Sequence, residues 1–330
     1  MSILWSLVIV GGLVLLPLAG VQLLGLSGFF GIVVPYAAIL VFLVGLTRRV
    51  WLWGRAPVPF RVPTTCGQQR SLPWIRSARL DNPSTGLGTI GRMALEVLAF
   101  RSLFRNTRAQ LKEGGKLVYG AEKYLWAAGL AFHWAFLFTF VRHYRYFVDP
   151  VPTVVAWAQN LDGFFQVGVP VVYATNIVLL AALAFLLLRR LSDPYLRYIS
   201  LPADYVPLFM LLGIATTGVL LRYFAKTDIV AVKELAVGLV TFHPTVPAGI
   251  APLFFVHLFL VSALFIYFPF SKLTHMAGVF LSPTRNLANT NRMKRHVNPW
   301  DRPVEVHTYA EWEEEFHDKI VAANLPLDRE

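Results

Sequence analysis

Six apolar runs set the limits on what this chain can fold into. They cover roughly residues 3 to 26, 28 to 52, 122 to 147, 164 to 188, 203 to 224 and 248 to 271. Each reaches the ~20 residues that carry a helix across a hydrocarbon core, where only structures that satisfy every backbone group internally survive. The chain is 56% hydrophobic and only 15% charged, against roughly a quarter charged in soluble domains. It therefore reads as an all-α integral membrane protein: a six-helix transmembrane bundle with a cytoplasmic insert and a cytoplasmic C-terminal tail. The first two runs nearly touch, which predicts a helical hairpin over residues 1–53. MSILW carries no basic residue ahead of its apolar run and no clear cleavage site follows, so the first run is expected to stay as an anchor. Its Gly11, Gly12, Pro17 and Gly20 suit an ordinary anchor as well as close helix packing.

The net charge of +11 is informative through its location. Residues 48–121 hold thirteen Lys/Arg against three Asp/Glu. Arg189, Arg190 and Arg197 follow the fourth run, and Lys272, Arg285, Arg292, Lys294 and Arg295 follow the sixth. The alternate loops are poorer in basic residues. Because short cytoplasmic flanks collect Lys and Arg, both termini and the insert are placed in the cytoplasm, and the basic balance points to membrane lipid, with no nucleic-acid partner.

The chain divides into the hairpin (1–53), a basic insert with an amphipathic helix (54–121), a four-helix core (122–278) and a partner-binding tail (279–330). The first part of the insert is rich in Pro and polar residues and reads as irregular. From about Ile90, Met93, Val97, Phe100, Phe104 and Leu111 recur at helical spacing, with Arg101, Arg105, Arg108 and Lys112 one position round. That pattern predicts a helix at the membrane surface or one docked on another subunit, with equal weight. In the tail, Tyr309, Trp312, Phe316 and Ile320 align among Glu311, Glu313, Glu314 and Glu315. A helix this short is marginal alone, so a protein partner is expected to hold it.

Cys66 is the only cysteine. No disulfide, iron–sulfur cluster or cysteine-type zinc site can form within the chain, and there is no CxxCH for covalent haem. A structural or docking role suits Cys66 better than redox chemistry, since no resolving cysteine accompanies it.

Four histidines stand inside apolar runs. His133 and His143 lie ten residues apart, and His257 and His275 eighteen apart. A polar group at membrane depth is a functional suspect, although any one imidazole alone serves equally well to bond a backbone carbonyl or a hydroxyl. The third run leads outward and the sixth leads back, so antiparallel packing pairs His143 with His257 on the outer side and His133 with His275 on the inner side. Each pair offers one imidazole from either side of a plane, as the two axial positions of a haem iron require. The fit of spacing is imperfect: ten residues span about 15 Å and eighteen about 27 Å, and ten fall about 80° short of returning to one face. Pro269 supplies a kink that can absorb part of this. His243 is a runner-up outer ligand, while His296, His307 and His317 read as surface residues. Arg142, Arg145 and Arg222 flank the outer side; they are candidate contacts for haem propionates or quinone, or simple boundary anchors.

FHW around His133, RH at 142–143 and FPFSKLTH ending at His275 resemble the cytochrome b subunits of respiratory nitrate reductases, the NarI-like or gamma-subunit family. The likeness covers about residues 120–278 and implies two b haems bound by His133, His143, His257 and His275. VPFRVPTTCGQQRSLPWI and LDNPSTGLGTIGRMALEVLAFRSLFRNT in the insert are similar to DsrM-type cytochromes of DsrMKJOP complexes. That resemblance implies menaquinone or menaquinol as the membrane substrate and a DsrK-like cytoplasmic iron–sulfur subunit as the electron partner. It also implies DsrJ, DsrO and DsrP as further subunits, DsrC as an indirect partner, and the sulfur chemistry itself on a partner. On this reading quinol is oxidised, or quinone reduced, near the outer haem, and electrons pass between the outer and the inner haem. Two other classes use the same residues: a haem-free transporter or proton pathway, and a structural anchor.

Overall fold

The computed structural model describes residues 2–56, 67–111, 113–163, 170–282, 285–294 and 306–328. Cys66, Lys112, Arg295 and His296, singled out above, lie outside the described residues. Helix α1 (Ser2–Leu24) turns back at Gly25, whose φ of +67° needs no side chain, into α2 (Val34–Arg55), which is preceded by a wide helical turn over Phe29–Val33. Gly20 is what lets the hairpin close: a Cβ there would clash with the Phe30 ring at Cε2.

The insert follows. Helix α3 (Gly86–Ala99) starts at Thr85, whose Oγ1 accepts from Gly88 N at 3.2 Å, and gives way to α4 (Arg101–Phe104). Strands β1 (Thr107–Leu111) and β2 (Leu117–Ala121) then pair antiparallel, Thr107 opposite Ala121 and Leu111 opposite Leu117. This corrects the expectation of one helix from Ile90 through Leu111. Phe100 sits in the left-handed region at φ 49° and ends α3, and Gly114 and Gly115, at φ 80° and 73°, turn the chain between the strands. Met93 and Val97 share α3, while Phe104 and Leu111 belong to other elements.

Helix α5 (Lys123–His143) spans toward the far side. There α6 (Thr153–Asp162) lies across the end before α7 (Ala174–Ser192) returns. The fourth span therefore begins at Ala174, ten residues later than expected, with 164–169 outside the described residues. Helix α8 (Pro194–Ile199) leads into α9 (Pro202–Tyr223), and α10 (Ile229–Val240) covers the far side. Helix α11 (Pro252–Tyr267) returns and breaks into single turns at Phe268–Phe270 and Lys272–Thr274, after which His275 opens α12 (His275–Leu281). Pro269, which lacks a backbone N–H, sits in the break. Gly45 of α2 presses on it, since a Cβ there would lie 2.7 Å from Pro269 Cβ. The tail ends in α13 (Tyr309–Ala322), capped reciprocally by Thr308 and Glu311.

Among the described residues, six helices are long and apolar enough to cross a membrane: Ser2–Leu24, Phe29–Arg55, Lys123–Tyr146, Ala174–Ser192, Pro202–Tyr223 and Pro252–Phe270. Leu183, Leu179 and Ala135 form a buried core between α5, α7 and α9, where Phe132, Leu208, Leu211 and Leu212 pack. Helix α5 packs on α7, α7 on α9, and α9 on α11, with α1 and α2 against α11. The helices that carry the histidines are thus held by their neighbours, α5 mainly by α7 and α11 mainly by α9, α1 and α2.

On the insert side, Glu122 accepts from Arg189 at 3.0 Å and Asp193 pairs with Arg108 at 2.6 Å, which marks a polar boundary at the start of α5. The segment 286–294 is fastened to the insert through buried amides. Gln69 Nε2 donates to Asn289 Oδ1 at 2.7 Å, Asn289 Nδ2 donates to Asn82 Oδ1 at 2.6 Å, and Asn289 N donates to Pro83 O at 2.7 Å.

Candidate functional site

The frame leaves the four membrane histidines facing one another in two pairs. The rings of His143 and His257 lie 6.4 Å apart between centres at an interplanar angle of 17°, and those of His133 and His275 lie 6.0 Å apart at 76°. The break at Pro269 reconciles the spacings, because it releases His275 from the α11 helix and lets it approach His133 across the bundle. A metal bonded on opposite sides by two imidazole nitrogens, at about 2 Å each, sets the ring centres about 6 Å apart. Both pairs match that separation.

The hydrogen bonds are equally specific. His133 Nδ1 bonds Gly129 O at 2.7 Å, His143 Nδ1 bonds Thr139 O at 2.7 Å, and His275 Nδ1 bonds Lys272 O at 2.8 Å. Carbonyl oxygens only accept, so these three rings carry their proton on Nδ1. His257 differs: its Nδ1 meets Thr217 Oγ1 at 2.9 Å, and that hydroxyl also lies 2.7 Å from Gly213 O. With the Thr217 proton given to the carbonyl, Oγ1 accepts from His257 and fixes the same tautomer. Among the described residues, no hydrogen bond engages Nε2 on any of the four rings, the arrangement that metal-binding histidines adopt when an outer partner orients them.

Neighbouring residues shape the surroundings. A Cβ on Gly218 would stand 3.3 Å from His257 Cε1, so glycine leaves that ring its seat on α9. Phe100 and Phe132 set ring edges against His133 at 4.8 and 4.9 Å, and Tyr146 lies 5.9 Å from His143. Among the described residues, no group of three or more His, Cys, Asp or Glu side chains is placed to hold a metal ion. Two imidazoles alone are too few for a zinc-type site. They suit a metal that brings its own equatorial ligands, as haem iron does.

Of the flanking arginines, Arg142 is buried together with Asp162, Nε to Oδ2 at 2.8 Å. Its Nη2 donates to Thr175 Oγ1 at 3.0 Å and to Asn176 Oδ1 at 3.2 Å, and its guanidinium lies 3.8 Å from the centre of the Tyr173 ring. Asp162 also accepts from Thr175 N and Oγ1, at 2.8 and 2.6 Å. Arg222 stacks over the same Tyr173 ring at 4.2 Å and donates to Val171 O, while its Nε has no hydrogen-bond partner among the described residues. Arg145 donates to Gln159 Oε1. His243 bonds Thr241 O in the loop after α10 and does not join the pairs. His307 and His317 are exposed in the tail.

Reading the sequence alone missed Asp162, Thr217 and Tyr173. Asp162 carried one signal, an isolated carboxylate before a membrane-length run; a single threonine among apolar residues carried none.

Six membrane-length helices among the described residues, with two facing imidazole pairs between them, define a multi-pass helical membrane protein. The chain belongs to the nitrate reductase gamma subunit family, whose model matches residues 93–295. It is 44% identical to the Hdr-like menaquinol oxidoreductase cytochrome b-like subunit of Archaeoglobus fulgidus, over 84% of each chain. It is 42% identical to the protein of the same description from Archaeoglobus profundus, over 81% of each. The respiratory nitrate reductase 1 gamma chain of Escherichia coli is 29% identical over 45% of this chain and 69% of its own length.

Proposed function

We propose that this chain is the di-haem cytochrome b subunit of a menaquinone-linked oxidoreductase. The observation that carries the reading is the hydrogen-bonding pattern of the facing imidazoles: Nδ1 is engaged on all four rings, with ring centres 6.0 and 6.4 Å apart. His143 and His257 hold the outer haem and His133 and His275 the inner one. The names of the Archaeoglobus relatives, cytochrome b-like and menaquinol oxidoreductase, support the same cofactor and substrate.

When bound, two haems supply reversible one-electron transfer between the two faces of the membrane. Everything else falls to the protein. The histidines present neutral imidazole donors in a fixed tautomer. Arg142 and Asp162 lock the far end of α5 to α6 and α7, which holds His143 in place. Arg222, whose Nε has no hydrogen-bond partner among the described residues, is the arginine best supplied to meet a propionate or a quinone oxygen; Arg145 is tied to Gln159. The quinone pocket belongs beside the outer pair.

With one cysteine in the chain, electrons must leave for a cluster on another subunit. The proposed partner is a cytoplasmic iron–sulfur protein of the DsrK or heterodisulfide reductase type, in dissimilatory sulfur metabolism; the description Hdr-like in both Archaeoglobus relatives supports it. The basic insert and the acidic helix α13 form the docking side. On α13, Tyr309, Trp312 and Phe316 stack with centres 5.6 and 5.7 Å apart.

Purified protein is expected to contain two b haems per chain by pyridine haemochrome assay and to give a reduced-minus-oxidised cytochrome b spectrum. A colourless, folded preparation would refute the reading.

A further inference from the structure

Helix α3 is built inside out for a helix in water. Its exposed side chains are Leu87, Ile90, Ala94, Val97 and Leu98, an unbroken apolar stripe at helical spacing. Its polar residues point the other way: Thr89 and Arg92 are buried, and Glu96 is bonded to Ser102. A soluble helix buries its apolar stripe and exposes its charges; this one does the reverse.

Its C-terminal end shows where the stripe goes. The last carbonyls of a helix lack intrahelical partners, and in α3 two of them are taken up by a membrane-spanning helix. Trp126 Nε1 of α5 donates to Ala99 O at 2.7 Å, and Trp134 Nε1 donates to Leu98 O at 3.1 Å. Phe100 then lays its ring edge on His133 at 4.8 Å. These partners lie below the ionic boundary at Glu122, by about 6 Å for Trp126 and 18 Å for Trp134 at helical rise. Carbonyls at that depth have no water to bond, and only protein donors can satisfy them.

We propose that α3 lies within the bilayer without crossing it, its stripe of Leu87, Ile90, Ala94, Val97 and Leu98 against lipid acyl chains. The insert is then partly a membrane element that walls the side of the inner histidine pair. The occupant of the stripe is lipid, because the stripe carries no polar group and α3 is bonded along α5, a membrane-length helix whose own Leu137 and Phe140 are exposed. This inference rests on the membrane-spanning placement of α5 and is independent of whether haem is bound.

The test uses the full chain with Cys66→Ser and single replacements Leu87→Cys, Ile90→Cys and Val97→Cys, in membranes open on both faces. Arg79→Cys, at an exposed position of the insert, serves as the water-facing control. A charged maleimide is expected to react at the three α3 positions at least about tenfold more slowly than at the control, because it does not partition into hydrocarbon. Nitroxides there should be relaxed more by oxygen than by a water-soluble nickel chelate. Reaction at the control rate would overturn the proposal, and so would protection that appears only when other subunits are present, which would make the stripe a protein dock. On the unaltered chain, a photoactivatable acyl-chain reagent should mark the peptide containing Leu87 to Leu98. Labelled spans with that peptide unmarked would overturn the proposal without depending on any variant.

Discussion

Among the four histidines, His257 alone leans on a hydroxyl where the others lean on carbonyls. A carbonyl is the stronger acceptor, so it pushes more electron density through the ring toward whatever Nε2 binds. Thr217→Val keeps the volume and removes the acceptor, leaving the His257 tautomer unfixed. Haem retention at the outer pair is expected to fall about tenfold, the lower end of the usual effect of losing such a partner, while the inner pair is unchanged. Redox titration of the remaining outer centre should give a higher midpoint, since a less basic ligand favours the reduced metal. Equal loss at both centres would mean that Thr217 only stabilises the bundle. The histidines themselves were legible in the sequence because imidazole in hydrocarbon is conspicuous. Thr217 was not, because a lone threonine fits a membrane helix whether or not it touches anything.

At the level of elements, the apolar runs were easy to read and the insert was not. Six spans announce themselves because each needs about 20 apolar residues in a row. The stretch from Ile90 to Leu111 misled because apolar and basic residues at spacings of three and four continued past the true helix end. The cues against one helix were local: the Gly114-Gly115 pair between two β-capable stretches, which reads as a hairpin turn, and a left-handed Phe100 that no propensity announces. Helices α6 and α10 escaped notice because they are only 10 and 12 residues long.

The insert is also held by charge. Burial alone would raise the Asp81 carboxyl, but hydrogen bonds and charge from Arg105 and Arg101 outweigh it and hold the group below the ordinary carboxylate value of 3.8. A depressed pKa stabilises the folded form above the unfolded value and loses that contribution as pH falls through the folded one. Attachment of the insert is therefore expected to be constant at neutral pH and to weaken below about pH 4, with faster proteolysis of residues 67–106. Asp81→Asn should show the weakened state already at pH 7, and resistance equal to that of the unaltered chain at pH 7 would contradict the clamp.

Across the whole molecule, the design separates framework from function. Helices α7 and α9 bridge α5 and α11, and the histidines of α5 meet those of α11 and α12 ring to ring. His143 ends α5 and His133 stands at its midpoint, so the two pairs lie about 15 Å apart at helical rise, the gap that the proposed electron path would bridge. Family membership and the Archaeoglobus relatives agree with that use. The central claim is the antiparallel sharing of two metals by four histidines, and the most direct measurement is ligand replacement read by low-temperature optical and EPR spectra of the intact protein. His143→Ala and His257→Ala are each predicted to abolish the same b-haem signal, and His133→Ala and His275→Ala the other. Loss in crossed combinations, or loss of neither signal, would contradict the account.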